Sequence, residues 1–182
     1  LKEGSSEGVG DNAPRAQLLA SGVGVPWALE AQELLKTDWG VVADVWSVTS
    51  WNELRRDGLE VDEHNFLYPD EEPQVPFVVK QLQGRPGPFI ATSDHMRLQQ
   101  DQIAQWVPGE YHSLGADGFG FSDTRAAARR FFHIDGPSMV VKALQMLAKN
   151  GEIDKTWPAQ AADKYKLLDV TAGASGNDGG DA

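Results

Sequence analysis

A chain of 182 residues is long enough to bury most of the apolar surface that its unfolded form exposes, so the length predicts one domain that folds without disulfide, metal staple or partner. The absence of cysteine excludes structural disulfides, thiolate zinc sites and cysteine nucleophiles, and it favours a reducing cytoplasm. A formal net charge of -11 disfavours nucleic acid and anionic membranes as partners, because both are gripped mainly through Lys and Arg.

No run approaches the ~20 apolar residues that a membrane helix requires, and no signal-peptide pattern opens the chain, so a soluble protein is expected. The first residue is Leu1 rather than Met, which points to a piece of a longer polypeptide.

Leu1 to Asn12 is rich in glycine and serine. Arg15 to Ala20 then reads as a buried strand, and Gly22-Val23-Gly24 turns it into a helix with Pro26 near its first position, where the missing amide proton costs nothing. Trp27, Ala31, Leu34 and Leu35 recur on one helical face until Gly40 stops the helix. Val41 to Val48 is β-branched and apolar enough for an interior strand.

Ser50 and Glu53 stand at capping-box spacing, which starts a helix at Trp51. The acid-rich segment Asp57 to Glu72 reads as a solvated helix end and loop. Val75, Val78, Val79 and Leu82 make a short amphipathic helix ended by Gly84, and Phe89 to Thr92 is a further strand. Met96, Ile103 and Val107 predict a helix closed by Pro108; Thr124 to Phe132 is helical, and Pro137 opens a last strong helix that ends at Asn150-Gly151. The tail, residues 171-182, is small, polar and acidic, a composition that favours a flexible end. Strands alternating with helices define the α/β class, with a largely parallel sheet covered on both faces.

The stretch "YHSLGADGFGFSDTR", Tyr111 to Arg125, sets a strand, a glycine loop and a helix start side by side. Dinucleotide-binding loops follow strands in the same way, but the third glycine position holds Asp123 here and Trp27 in the earlier loop, and neither loop has a P-loop lysine. A helix N-terminus favours an anion by about 0.3–1 kcal/mol. One carboxylate about 4 Å from a phosphate repels it by roughly 1–4 kcal/mol at surface dielectrics, so Asp117 and Asp123 make the loop a turn, with Ser122 or Asp123 as helix cap.

Ala116-Asp117-Gly118 only partly matches the magnesium-holding Gly-Asp-Gly motif of thiamine-diphosphate enzymes, and Asn150 lies too far along to be its companion asparagine. His64, His95, His112 and His133 show neither an HExxH pattern nor i, i+4 pairing. Ser93-Asp94-His95 names the members of a triad, but adjacent residues do not assemble one, and the tripeptide reads as a helix start. Trp27, Trp39, Trp46, Trp51, Trp106 and Trp157 suit a core or a subunit contact better than base stacking.

Four longer stretches carry a resemblance: "DVWSVTSWNELRRDG" from Asp44, "ATSDHMRLQQDQIAQWVP" from Ala91, "SLGADGFGFSDTRAAARRFF" from Ser113 and "VVKALQMLAKNGEID" from Val140. In order, from about Arg15 to Tyr165, the chain resembles the C-terminal domain of the homodimeric pyruvate dehydrogenase that forms the decarboxylating component of the bacterial complex. The resemblance implies a transketolase C-terminal-like fold: three layers, α/β/α, with a mostly parallel five-stranded sheet whose first strand runs against the others. The domain would occupy residues 15-170, with residues 1-14 a linker or the remnant of that first strand.

In such enzymes thiamine diphosphate and magnesium decarboxylate pyruvate, and the acetyl group passes to a lipoyl group on the next component. The family's catalytic, cofactor-binding and metal-binding residues lie in the preceding domains, so none is carried onto this chain, which is expected to bind no cofactor and to be inactive alone. Its expected partners are those preceding domains, the second subunit of a homodimer and the lipoyl-bearing acetyltransferase.

Asp117, Gly118, Phe119, Gly120, Ser122 and Asp123 then form a structural or interface loop, and Phe121 stands where the family commonly has arginine. Two other readings come from the residues themselves: a free-standing α/β module for a small phosphorylated ligand at the strand ends, and a docking module whose acidic segment, Asp57 to Glu72, recruits a basic partner.

Overall fold

The computed structural model describes residues 1–175, and among these it contains four strands and seven α-helices. The strands are β1 (Arg15–Ala20), β2 (Val42–Ser47), β3 (Phe89–Thr92) and β4 (Tyr111–Leu114). The helices are α1 (Gly24–Trp39), α2 (Trp51–Leu67), α3 (Phe77–Leu82), α4 (Leu98–Asp101), α5 (Arg125–Phe131), α6 (Gly136–Lys149) and α7 (Trp157–Lys164).

All four strands are parallel, in the order β2-β1-β3-β4. Side chains of successive strand residues point to opposite faces, so each strand feeds two layers. Ala16, Leu18 and Ala20 of β1 pack with Ala28, Ala31 and Leu35 of α1 and with Met139, Leu144 and Leu147 of α6. Leu19, between them, turns the other way, towards Trp51 of α2, Val78 and Leu82 of α3, and Ile103 and Trp106. Two apolar layers on either side of one sheet give the three-layer α/β/α arrangement. Each fully buried aliphatic side chain in these layers contributes ~1.5–3 kcal/mol relative to exposure.

The expected fifth strand is reduced to a single antiparallel bridge, in which Lys2 donates to the Val45 carbonyl at 2.7 Å and accepts from the Val45 amide at 2.8 Å. Pairing stops there because the Gly4 amide turns to Asp44 Oδ1, at 2.8 Å, instead of a backbone carbonyl. The sheet of the described residues therefore has four strands, not five.

Local chemistry explains the element ends. Gly40 takes φ 62°, a left-handed conformation that closes α1 and directs its amide to Leu35 and Lys36. Ser50 Oγ accepts from the Glu53 amide at 3.2 Å and starts α2 at Trp51. Asp135 caps α6 by accepting from the Ser138 amide at 3.0 Å, with Pro137 in the first turn, and α6 stops before Asn150.

The acid-rich segment is the end of α2 as far as Leu67, with only Gly58 and Val61 of it buried on the inner face, and then an exposed loop, as expected. Two expectations are corrected. The single helix expected over Met96, Ile103 and Val107 is broken into α4 and a 3-10 turn at Ala104–Trp106. Ile103 and Val107 are buried, but Met96 is exposed, and the Tyr111 phenol donates to the Gln100 carbonyl at 2.8 Å, competing for an acceptor that helix continuation would use. Ser93-Asp94-His95 does not begin a helix: Ser93 Oγ accepts from the His95 amide at 3.0 Å in a local turn, and α4 starts at Leu98.

Sequence reasoning also missed α7. Its Trp157 ring lies 5.6 Å from that of Trp39, and the following Tyr165 accepts from Trp39 Nε1 at 2.9 Å and donates to Asp38 Oδ2 at 2.7 Å. A 3-10 turn at Val170–Ser175 lies against α5. The rest of the expected flexible tail lies outside the described residues.

Gly58 marks a close approach. A Cβ there would stand 2.6 Å from the Trp106 indole, which is pinned by its Nε1 donating to Asp62 Oδ2 at 2.9 Å. Gly58→Val is expected to lower the unfolding free energy in urea by about 1–3 kcal/mol through overpacking. Unchanged stability would show that the indole has room to move.

Candidate functional site

The two glycine loops lie at the carboxyl ends of β1 and β4, the edge of a parallel sheet where ligands commonly bind. Their geometry differs from a phosphate cradle. In the first, the turn itself uses two helix-start amides: Gly24 donates to the Ser21 carbonyl at 2.9 Å and Val25 to the Gly22 carbonyl at 3.2 Å. Ser21 Oγ in turn accepts from Trp51 Nε1 at 3.0 Å, tying this loop to α2.

The second loop is tied down by its first carboxylate. Asp117 Oδ1 accepts from the Arg97 amide at 2.9 Å, and Oδ2 accepts from Arg97 Nε at 2.5 Å. These bonds hold the Asp117 carboxyl below the usual carboxylate range, the Arg97 side-chain bond first and the backbone bond second. A Cβ on Gly115 would stand 2.6 Å from that same Arg97 amide, so the loop crosses the β3–α4 connection at backbone distance.

Beyond Asp117 the chain turns at Gly118, φ 105°, and presents Phe119 at 97% exposure. Gly120 follows, and Phe121 stacks on Phe131 of α5 at 4.3 Å, with Phe132 edge-on to Phe131 at 5.0 Å. Phe121 thus makes an aromatic contact.

The cap of α5 is neither Ser122 nor Asp123. Thr124 Oγ1 accepts from the Ala127 amide at 3.2 Å, while Asp123 Oδ1 accepts from the Thr124 amide at 2.7 Å. Thr124 has the extended conformation an N-cap requires, and Asp123 is one residue too early. Behind α5, buried Arg130 pairs with Asp135 at 2.6 Å and donates to the carbonyls of Tyr165 and Lys166 at 2.8 and 3.1 Å. One guanidinium therefore fixes α5, the cap of α6 and the end of α7 together.

The four histidines lie apart in function. His64 faces Glu71 at 3.6 Å, and His95 is exposed beside Asp94 at 3.9 Å. His112 lies on β4, where burial, followed by Lys142 and Arg97, depresses its pKa. His133 occupies a turn with φ 55°. Ser93, Asp94 and His95 do not assemble a triad, because Ser93 Oγ is engaged with the His95 amide rather than with its ring. Among the described residues no group of three His, Cys, Asp or Glu could hold a metal ion. A magnesium–diphosphate cradle of the Gly-Asp-Gly kind does not fit here: both Asp117 oxygens are engaged by Arg97, and Asn150 at the end of α6 donates to Glu152 at 3.4 Å.

Sequence reasoning missed a groove of about 460 Å3 between α2 and α3, floored by Leu19, Trp46 and Val48. One signal was available. Phe77 falls out of phase with the buried Val78 and Leu82, which leaves it half exposed at the groove mouth.

Residues 5–135 match the Transketolase-like TK C-terminal domain, and the chain belongs to that family. Proteins called "Pyruvate dehydrogenase E1 component" resemble it closely. That of Mycolicibacterium smegmatis is 54% identical over 171 residues, covering 93% of this chain and 18% of the relative. That of Mycobacterium tuberculosis is 52% identical over 158 residues, covering 87% and 17%, and that of Escherichia coli K12 is 43% identical over 154 residues, covering 84% and 17%. The chain thus spans less than a fifth of the length of these relatives. A split-gene transketolase, described as an inactive beta4 tetramer, shares the fold with a TM-score of 0.51 at 15% identity, over 75% of this chain and 40% of its own.

The Arg97–Asp117 contact gives a pH test. Because the folded pKa of Asp117 is lowered, its stabilising contribution is present above the unfolded value of about 3.9 and is lost as pH falls through the folded value. The Arg97 amide resonance is expected to titrate below about pH 4 and to be silent in Asp117→Asn. That substitution should cost less than about 1 kcal/mol of stability, since the pair is solvent-screened.

Proposed function

We propose that this chain is the C-terminal structural and subunit-contacting domain of a thiamine-diphosphate- and magnesium-dependent pyruvate dehydrogenase. The whole enzyme decarboxylates pyruvate and acetylates the lipoyl group of the next component of the complex. The observation that carries the reading is the 54% identity across 93% of the chain to a pyruvate dehydrogenase E1 component. The split-gene transketolase is described as inactive, which is consistent with a fold of this kind contributing architecture to an active site that other polypeptide completes.

The domain's own chemistry supports that division. The carboxylate of Asp117 holds the glycine loop against Arg97, and Asp123 adds a second negative charge at the start of α5. A diphosphate would meet both. Asp117, Gly118, Phe119, Gly120, Ser122 and Asp123 are then a built turn, with exposed Phe119 available to a preceding domain or to the second subunit. The absence of cysteine fits a cytoplasmic enzyme, and among the described residues no helix is long and apolar enough to cross a membrane.

Deletion of the segment from Arg15 onward in the parent enzyme is expected to abolish both the dimer and pyruvate-dependent turnover. Calorimetry of the isolated chain with thiamine diphosphate and magnesium should give no binding heat. Full activity of a truncated parent with its dimer intact would rule the reading out, and saturable binding of thiamine diphosphate or a nucleotide by the isolated chain would favour a ligand-binding module instead.

A further inference from the structure

The α2–α3 groove has no part in the loop chemistry above. Its floor is the carboxyl-terminal half of β1 and β2, and its walls are Leu54 of α2 and Val78 and Leu82 of α3. The segment leading into α3 runs back along α2: Gln74 exchanges two hydrogen bonds with Asn65, at 2.8 and 3.0 Å, and the Phe77 amide donates to Asp57 Oδ2 at 2.6 Å. Val75 and Phe77 on this segment are exposed, with Phe77 at the groove mouth, and Phe66 near the end of α2 is 81% exposed.

The rim carries uncompensated negative charge. Arg56 is shared between Glu53, which it contacts directly, and Glu60 at 4.0 Å, while Asp57 is engaged only with a backbone amide among these contacts. From Glu53 to Glu72 there are eight carboxylates and two arginines, so cations are attracted along the whole face. A second copy of this chain brings the same face and a net charge of -11, and is repelled.

We propose that the α2–α3 groove docks a basic, apolar-anchored segment of another polypeptide. One bulky apolar side chain enters against Trp46, Val48 and Leu54, packing beside Phe77, while flanking Lys or Arg side chains pair with Glu53, Asp57 and Glu60. The anchor supplies residence time, and the carboxylates supply steering and choice of partner. This proposal does not depend on which enzyme the domain serves.

The test uses the full chain, a leucine–lysine amphipathic peptide and its leucine–glutamate counterpart, followed by amide resonances. The lysine peptide is expected to bind saturably and to shift Ser47 to Leu54 and Phe77 to Leu82. Affinity should fall tenfold or more in Phe77→Ala, in Glu60→Lys, and on raising salt from about 0.05 to 0.5 M. Both side chains are exposed, so the variants keep the fold.

The glutamate peptide should not bind. Absence of binding, shifts confined to other surfaces, equal binding of the two peptides, or variants that bind as tightly as the parent sequence would overturn the proposal. A dimer abolished by Phe77→Ala would assign the groove to self-association. Binding to this chain but not to a longer protein that carries it would assign the groove to that protein's own domains. Either result also overturns the proposal.

Discussion

A single buried carboxylate, Asp44, joins through side-chain hydrogen bonds and ion pairs four parts of the chain that are distant in sequence. It lies in β2 at 1% exposure. It accepts from the Gly4 amide at 2.8 Å, from Arg15 Nη2 at 3.1 Å and from Gln17 Nε2 at 3.2 Å, and Arg85 stands 3.8 Å away. The N-terminal segment, β1, β2 and the connection before β3 thus converge on one group. A carboxylate buried this deeply is tolerable only when its lone pairs are met by charged or polar donors, and here they are. Gln17 extends the network, donating to the Pro86 carbonyl at 3.0 Å and accepting from Trp46 Nε1 at 2.8 Å. Register between β1 and β2 follows from it, because a shift of one residue would turn Asp44 and Gln17 into the opposite, apolar layer.

With that edge fixed, the opposite edge is free to carry loops. Arg97 to Asp117 does for the β3 and β4 ends what Asp44 does for β1 and β2, but at the surface and with correspondingly less energy. Arg130 and Asp135 repeat the arrangement in the helical layer. Three acid–arginine pairs therefore position the connections, while the two apolar layers supply most of the stability. Negative charge left over on α2 is not used in this framework, which is why the groove beside it stands out as a surface with a different purpose.

Much of the fold was legible because it depends on residues close in sequence. Gly40, Ser50 with Glu53, Pro137 and Asn150-Gly151 each act within one helical turn, and each marks an element end in the structure. What escaped depends on distant partners. Helix α7 is held by Trp39 and Asp38, more than a hundred residues earlier, though Trp157, Ala161 and Tyr165 at helical spacing were a usable signal. The break after Asp101 depends on Tyr111 reaching the Gln100 carbonyl, and the missing fifth strand depends on Gly4 turning to a side chain. At the glycine loop, charge reasoning identified a turn, but the partner of Asp117 and the capping role of Thr124 required coordinates. The Phe121 contact was hidden because its ring partner lies on the next helix.

The most direct measurement of this account is the unfolding free energy of Asp44→Asn, taken with hydrogen exchange at Gly4 and at the strand amides. Loss of the charge-assisted bonds is expected to cost about 2–3 kcal/mol and to free the Gly4 amide first, with β3 and β4 still protected until global unfolding. A loss below about 1 kcal/mol, with Gly4 protected as before, would contradict the central place given to this carboxylate.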